Sequence, residues 1–521
     1  MSKKLTAVGL TVALWAAGAG ALLVSEALFL TKHAGDALHM IAIVERMAQG
    51  QVPHLDFMTP IGAFAFWPIA ALVDAGLGAG RAFLVAQVAI GALCAAAALA
   101  IALPRMAPVW ASALAALVLA LAMALVPGEA EIAITISMHY NRWAWGFAFV
   151  VITAAVLRPD RARLVDGVII GALMAALAMT KVTYFVALMP LVLLGLAMTA
   201  QWRALGVAAV TGALIAGALT LTLGVGYWAA YAGDLLAVAA SDIRPQPGLR
   251  FGAVLTSPAY LLGTVLAFAM AVLIRRRGLA VEGLLTFPLL GAGAYITYQN
   301  FGNEHFWLAL FALLLVVWAP RAGGAGRAMT LAAAAAAAMV LPSFLNMAGS
   351  PFRHLAIPAQ DYRPLLIGAD RHQDIAVSRL KANRLRSDTP LAGAQLFDDV
   401  DLPTQPIFRG APLPDCRTEP VAGYFASITS DLEAQGLAQG QGVFVVDILN
   451  PYWLYGDHRP LAGGTPWYYG GLPGYEDAEF VLLPSCPILT TVRNGIAELL
   501  ADEPLEEVAV RPLYTLYSKG L

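Results

Sequence analysis

The sequence predicts a mainly α protein, a polytopic transmembrane helix bundle of about eleven spans followed by a soluble α/β domain at its C-terminal end. Two observations carry this reading. Hydrophobic residues make up 59% of the chain and charged residues 13%, and the mean hydropathy is +0.71, which is more apolar surface than a soluble fold hides. Apolar runs of about twenty residues, the length that crosses ~30 Å of hydrocarbon, recur through the first two thirds and then stop. The formal net charge of -2 lacks the basic excess that neutralises phosphates, so nucleic acid is excluded as a partner.

In chain order, Met1-Ser2-Lys3-Lys4 leads into an apolar run over residues 5–30. It is too long for a signal-peptide core, and it is expected to stay as a first span with its lysines in the cytoplasm. Further spans are expected at 82–103, 108–127, 143–157, 164–180, 182–200, 204–225, 253–274, 282–299, 305–319 and 327–346. Residues 61–73 are different, because as a helix they would reach only about 20 Å. They are expected to re-enter or lie at the interface without crossing.

That choice fixes the side of every later loop. Lys3, Lys4, Arg105, Arg158, Arg161, Arg163, Arg203, Arg275, Arg276, Arg277, Arg321 and Arg327 then share the cytoplasmic side, as the positive-inside rule requires. If residues 61–73 crossed instead, those later arginines would move outside and the C-terminal domain would become cytoplasmic. With the re-entrant reading, residues 1–346 form the membrane domain. Outer loops fall at 31–81, 128–142, 226–251 and 298–305, with a short turn at Thr180-Lys181, and 347–521 form a periplasmic α/β domain. These outer stretches collect most of the Asp, His, Asn and Tyr residues outside the spans, which points to chemistry on one face.

Within the C-terminal domain, 442–448 and 479–483 read as buried strands, and 421–435 and 489–501 as helices. Cys416 and Cys486 fall here and either pair or remain separate thiols, while Cys94 lies in an apolar run. Two aromatic stretches, Pro451-Tyr452-Trp453-Leu454-Tyr455 and Pro466-Trp467-Tyr468-Tyr469, fit either sugar stacking or core packing.

The first outer loop holds the most chemistry. Asp36 and His39 sit one helical turn apart on the same face. Gly50 stops that helix and Pro53 prevents its resumption. Asp36 is either a reactive carboxylate or a residue of the kind that favours helix starts. Asp56, before Thr59-Pro60, is either a ligand-binding acid or a turn residue. On the same face are Arg142, Lys181 and the run Tyr298-Gln299-Asn300-Phe301-Gly302-Asn303-Glu304-His305. Its amides, acid and histidine suit sugar hydroxyls as well as a polar turn, and Arg142 and Lys181 suit interfacial anchoring as well as phosphate binding.

A first span, an outer-loop Asp, an amphipathic helix ending at Gly and a Pro-containing re-entrant segment together resemble the GT-C superfamily of membrane glycosyltransferases, in particular the lipid A aminoarabinose transferase and protein O-mannosyltransferase type. Asp36 matches the first residue of that family's Asp-Glu motif, with Ala37 in the second place. Thr59-Pro60-Ile61-Gly62-Ala63-Phe64 resembles the Lys-Pro start of its re-entrant segment, with Thr59 where the family has a lysine. Gly78-Ala79-Gly80-Arg81 resembles its Gly-to-Arg turn, and Ala178-Met179-Thr180-Lys181 its Thr-Lys turn before the proline-bearing span with Pro190. The similarity covers about the first 200 residues, is loose to about 345, and gives no match in the C-terminal domain.

The resemblance implies a polyprenyl-phosphate-linked sugar donor and a glycan, lipid or protein acceptor at the periplasmic face, among membrane lipids. Asp36 would be the catalytic base. His39, Asp56, Arg142, Lys181, Asn300, Asn303, Glu304 and His305 would bind the donor phosphate and sugar. No cofactor follows from the residues. A divalent metal stays an open alternative, since the second outer loop carries Glu129 and Glu131 at its start and ends His139-Tyr140-Asn141-Arg142-Trp143 where the family often has an acid. A non-catalytic transporter or flippase, or a polysaccharide ligase or polymerase, are the competing functions. The span interiors hold almost none of the ionisable residues that transport would use.

Overall fold

The computed structural model describes residues 2–128, 130–243, 252, 257–300, 305–383, 389–390, 407–414, 416–419 and 422–520. The apolar runs fold as helices: α1 (Ser2–Leu23), α4 (Ala79–Ala102), α5 (Pro108–Ala122), α6 (His139–Val156), α7 (Leu164–Thr180), α8 (Val182–Met198), α9 (Trp202–Leu223), α11 (Pro258–Arg276), α12 (Ala280–Tyr298), α13 (Trp307–Trp318) and α14 (Gly326–Leu355). Outside these runs lie α2 (Ala34–Ala48), α3 (Trp67–Asp74) and α10 (Gly226–Ala239). Among the described residues six helical segments, built on α1, α4, α9, α11, α12 and α14, are long and apolar enough to cross a membrane, and α5, α7, α8 and α13 are shorter apolar helices. Every residue of α6 is buried, so α6 is a central post of the bundle.

The two ends of the bundle differ in chemistry. Helices α7 and α8 form a hairpin whose apex is the single extended residue Lys181 (φ -157, ψ 104). Their far ends meet at Arg105, which donates to Asp166 at the start of α7 (2.9 Å) and to Gln201 just beyond α8 (3.1 Å). Lys181 and Arg105 therefore mark opposite ends. At the Lys181 end, Gly62 N donates to Thr180 O (3.2 Å), which seats the segment after Pro60 on the hairpin apex.

The segment after Pro60 begins with a short 3-10 turn (Ala63–Ala65) and continues as α3, only eight residues long. Both its flanks dock on the C-terminal region: Gly463 N donates to Asp56 O (2.8 Å) before it, and Arg81 N donates to Asp374 Oδ2 (2.6 Å) after it. The segment thus enters and leaves at one end of the bundle. Gly78 and Gly80 are glycines because Asp374 lies where their Cβ atoms would be, so the Gly-to-Arg landmark has a docking role.

Among the described residues the C-terminal region contains two larger sheets and two two-stranded pairs, Thr389–Pro390 with Cys416–Arg417 and Ile407–Phe408 with Ala411–Pro412. In the first, β1 (Leu28–Leu30) runs parallel to β3 (Ile375–Ser378), with Leu28 opposite Ile375, and β2 (Tyr362–Pro364) pairs antiparallel on the other side of β3. In the second, β4 (Val443–Val445) and β5 (Phe480–Pro484) are parallel, and β7 (Tyr514–Lys519) and β6 (Leu505–Val510) extend the sheet antiparallel in the order β6-β7-β5-β4. Helices α16 (Ala422–Ala434) and α17 (Thr490–Leu499) accompany this sheet, and the five-residue α15 (Arg379–Asn383) follows β3. Cys416 and Cys486 are disulfide-bonded and Cys94 is buried and free.

Several boundaries differ from the sequence reading. The run over 5–30 is not one helix, since α1 stops at Leu23 and 28–30 become a sheet strand. Loop 128–142 ends inside α6, which starts at His139. Loop 226–251 begins as the helix α10, anchored by buried Tyr227 and Tyr231. The boundary at 346 falls inside α14, which continues to Leu355 through Pro351. Pro351 lacks the N–H that would reach Met347 O, and the Ser350 hydroxyl takes its place, donating to that carbonyl at 2.7 Å.

Candidate functional site

Helix α2 begins after His33, whose left-handed backbone (φ 59) turns the chain into the first turn. Asp36 is the third residue of that helix, and no side chain caps the helix start. Its carboxylate instead accepts a short hydrogen bond from Ser137 Oγ on the second loop, with His33 Nδ1 3.9 Å away. Ser137 is held from behind, because Arg142 Nη1 donates to its carbonyl at 2.9 Å. Met138, also left-handed (φ 56), then starts α6.

Asp36 and His39 share one face, as one helical turn requires, and both line a cavity of about 250 Å³. Met40, Ser137 and Tyr140 line it from the helical part, and Ile448, Trp467, Tyr469 and Leu489 from the C-terminal region. The ring of Trp467 packs on that of His39 at 5.4 Å between centroids. The first loop and the C-terminal region thus build this cavity jointly.

Lys181 adjoins it through Tyr140: its ammonium lies 5.3 Å from the Tyr140 ring centre, and it makes a short hydrogen bond to Asn300 Oδ1. A second, apolar cavity of about 570 Å³ lies between α7, α8, α9 and α10, along the hairpin whose apex is Lys181. Met179 and Val182, on either side of Lys181, line its mouth, and Leu196 lines it near the opposite end of α8. At 1.5 Å per residue the groove follows α8 for roughly 20 Å.

The other expected site residues stand elsewhere. Asp56 is exposed and closes its own turn, accepting from Val52 N at 2.6 Å, so it takes the turn role. Arg142 is buried behind Ser137 and does not line the cavity. His305 is buried with its ring against Tyr260. Asn303, Glu304 and Glu129 lie outside the described residues.

Several partners in this region were not evident from the sequence. Ser137 is one. Asp234 on α10 is another, accepting from His54 Nδ1 (2.8 Å) and Thr59 N (3.1 Å) and so fixing the approach to Pro60. A third is Glu45, on the opposite face of α2 from Asp36. It is bonded by His372 Nε2 (2.8 Å) and paired with Arg371. Because His372 Nδ1 accepts from Ala79 N (3.1 Å), the proton facing Glu45 is on Nε2. Burial alone would raise the Glu45 carboxyl, but hydrogen bonds from His372 and Gln49 and the charge of Arg371 outweigh it, leaving Glu45 below the usual glutamate range. This cluster clamps α2, the start of α4 and the C-terminal region together.

The chain matches no known protein family, and no characterised protein matches it. Among the described residues no three acidic, histidine or cysteine side chains converge to hold a metal ion. Asp36 is the one carboxylate that lines the cavity, beside the Ser137 hydroxyl, whereas a divalent cation takes several oxygen ligands.

Proposed function

We propose that this chain is a GT-C-type membrane glycosyltransferase that moves a sugar from a polyprenyl-phosphate carrier to a hydroxyl acceptor. In this reading some eleven helices cross the bacterial inner membrane, with the N-terminus in the cytoplasm and the Asp36 face and C-terminal region in the periplasm. One juxtaposition supports it above all: a carboxylate in a part-aromatic cavity, beside the Lys181 ammonium, whose chain neighbours Met179 and Val182 line an apolar groove. A prenyl tail fits the groove, its phosphate fits the Lys181 end, and a sugar fits between Trp467, Tyr469 and Asp36.

The chemistry is a single displacement. Asp36 takes the proton of the acceptor hydroxyl as that oxygen bonds to the anomeric carbon. The bond from that carbon to the phosphate oxygen breaks, and the phosphate leaves with the electron pair. Lys181, steadied by Asn300, offsets the developing charge. Ser137 holds the carboxylate in line, and the C-terminal aromatics keep water off the reacting atoms.

The test is transfer from a panel of polyprenyl-phosphate sugars by the purified chain in liposomes. Asp36→Asn, of nearly unchanged shape, is expected to lose ~10²- to 10⁴-fold in rate while keeping its unfolding temperature. A folded D36N protein that transfers at the normal rate contradicts the assignment. A protein that moves lipid-linked sugar across the bilayer without forming a glycosidic product favours the flippase alternative.

A further inference from the structure

At the Arg105 end, opposite the Asp36 cavity, the bundle has a separate opening of about 580 Å³ between α5, α6, α8, α12 and α13. Its walls divide by chemistry. Trp110, Met198, Val281, Val316 and Val317 supply an apolar side, while Arg105, Arg158 and Arg321 supply cations.

The charge is unbalanced. Glu282 is taken by Arg321 (2.9 Å) and Asp166 by Arg105 (2.9 Å), with Arg163 also 3.8 Å from Asp166. Of the groups that line the opening, three are guanidinium groups and one, Glu282, is a carboxylate. Arg158 is exposed and has no partner among the described residues. The depth is also informative. Trp110 is half-buried in the opening and Trp202, at the same end, is 62% exposed, the placement of tryptophans at a membrane–water boundary. Met198 on the rim is 37% exposed, so the apolar wall continues onto the outer surface of the bundle.

A cation pair above an apolar wall at interface depth matches one chemistry, a phosphodiester carrying hydrocarbon chains. We propose that this opening is a binding site for an anionic phospholipid, its phosphate between Arg158 and Arg321 and its chains along Met198, Val281 and Val316. Arg105, fully engaged with Asp166, Gln201 and the Leu157 carbonyl, is the fixed floor of the site. The site is independent of the transfer reaction.

The experiment is native mass spectrometry of the full chain in detergent, exchanged against phosphatidylglycerol or phosphatidylcholine. One phosphatidylglycerol is expected to survive activation that strips phosphatidylcholine, and Arg158→Gln with Arg321→Gln is expected to lower its retention roughly tenfold. Arg158→Gln alone, at an exposed unpaired position, gives a smaller loss with no change in unfolding temperature. Arg275→Gln, a cation outside the opening, leaves retention unchanged. Equal retention of the two lipids, an undiminished double variant, or an equal loss in R275Q overturns the proposal. Inorganic phosphate at millimolar concentration should not displace the lipid, and displacement would assign the arginines to a free anion and overturn the lipid source.

Discussion

In the proposed transfer Asp36 is the base, and its surroundings show what a carboxylate at a helix start does when it is not a cap. Its third-position carboxylate turns away from the open amides of α2 and bonds across to Ser137, 101 residues along the chain. If that hydroxyl positions the base, Ser137→Ala should cut turnover about 10- to 100-fold, the weight of one hydrogen bond to a charged group, with KM little changed. Ser137→Thr, which keeps the hydroxyl, should restore most of the rate, a recovery that loss of packing alone would not give. The Asp36–His39 pair was legible because one helical turn fixes it within four residues. Ser137 was not, since a lone serine before a span carries no local pattern. Asp56 and His305 illustrate the opposite case: polar residues on the right face whose partners turn out to be their own turn and a neighbouring ring.

Among the elements, those set by local periodicity were read well. The expected strands at 442–448 and 479–483 form the parallel pair β4–β5, and the expected helices are α16 and α17. What escaped the reading depends on distant partners: β1 is a strand only because Ile375–Val377 lies beside it, and the β6–β7 hairpin joins the sheet with a largely exposed outer strand. Asp447 ties this sheet to the site. It accepts from Ile448, Ile488 and Leu489 backbone amides, and Ile448 and Leu489 line the Asp36 cavity. Burial pushes its carboxyl up to about 6, against an ordinary 3.8. A folded value raised in this way means that stability is fullest below the unfolded value and is lost as pH rises through about 6, by about 3 kcal/mol in all. Hydrogen exchange at Val481 and Leu482, corrected for intrinsic rate, should therefore show more protection at pH 5 than at pH 7.5. Asp447→Asn should abolish that difference.

At the scale of the whole molecule, the arrangement is a bundle with two unlike ends. One end carries arginines. The other carries a cavity that neither the helices nor the C-terminal region can form alone, because α2 supplies the acid and residues 467–489 supply the opposite wall. The clamp of Glu45, His372 and Ala79 and the pairing of β1 with β3 hold these parts in register. The short reach of residues 61–73 already implied a turn-back, and the docking of both its flanks on one region gives that turn a structural cause. Sidedness is therefore the claim from which the rest follows, and cysteine labelling in intact cells measures it. The background is clean, since Cys94 is buried and Cys416 and Cys486 are paired. Single cysteines are placed at exposed Leu55, Val510 and Arg161 and treated with a membrane-impermeant maleimide. Leu55→Cys and Val510→Cys should label from outside, while Arg161→Cys should label only after the membrane is opened. Labelling of Leu55→Cys and Val510→Cys from opposite sides would contradict the shared cavity, and labelling of both only from the cytosol would contradict the periplasmic reaction.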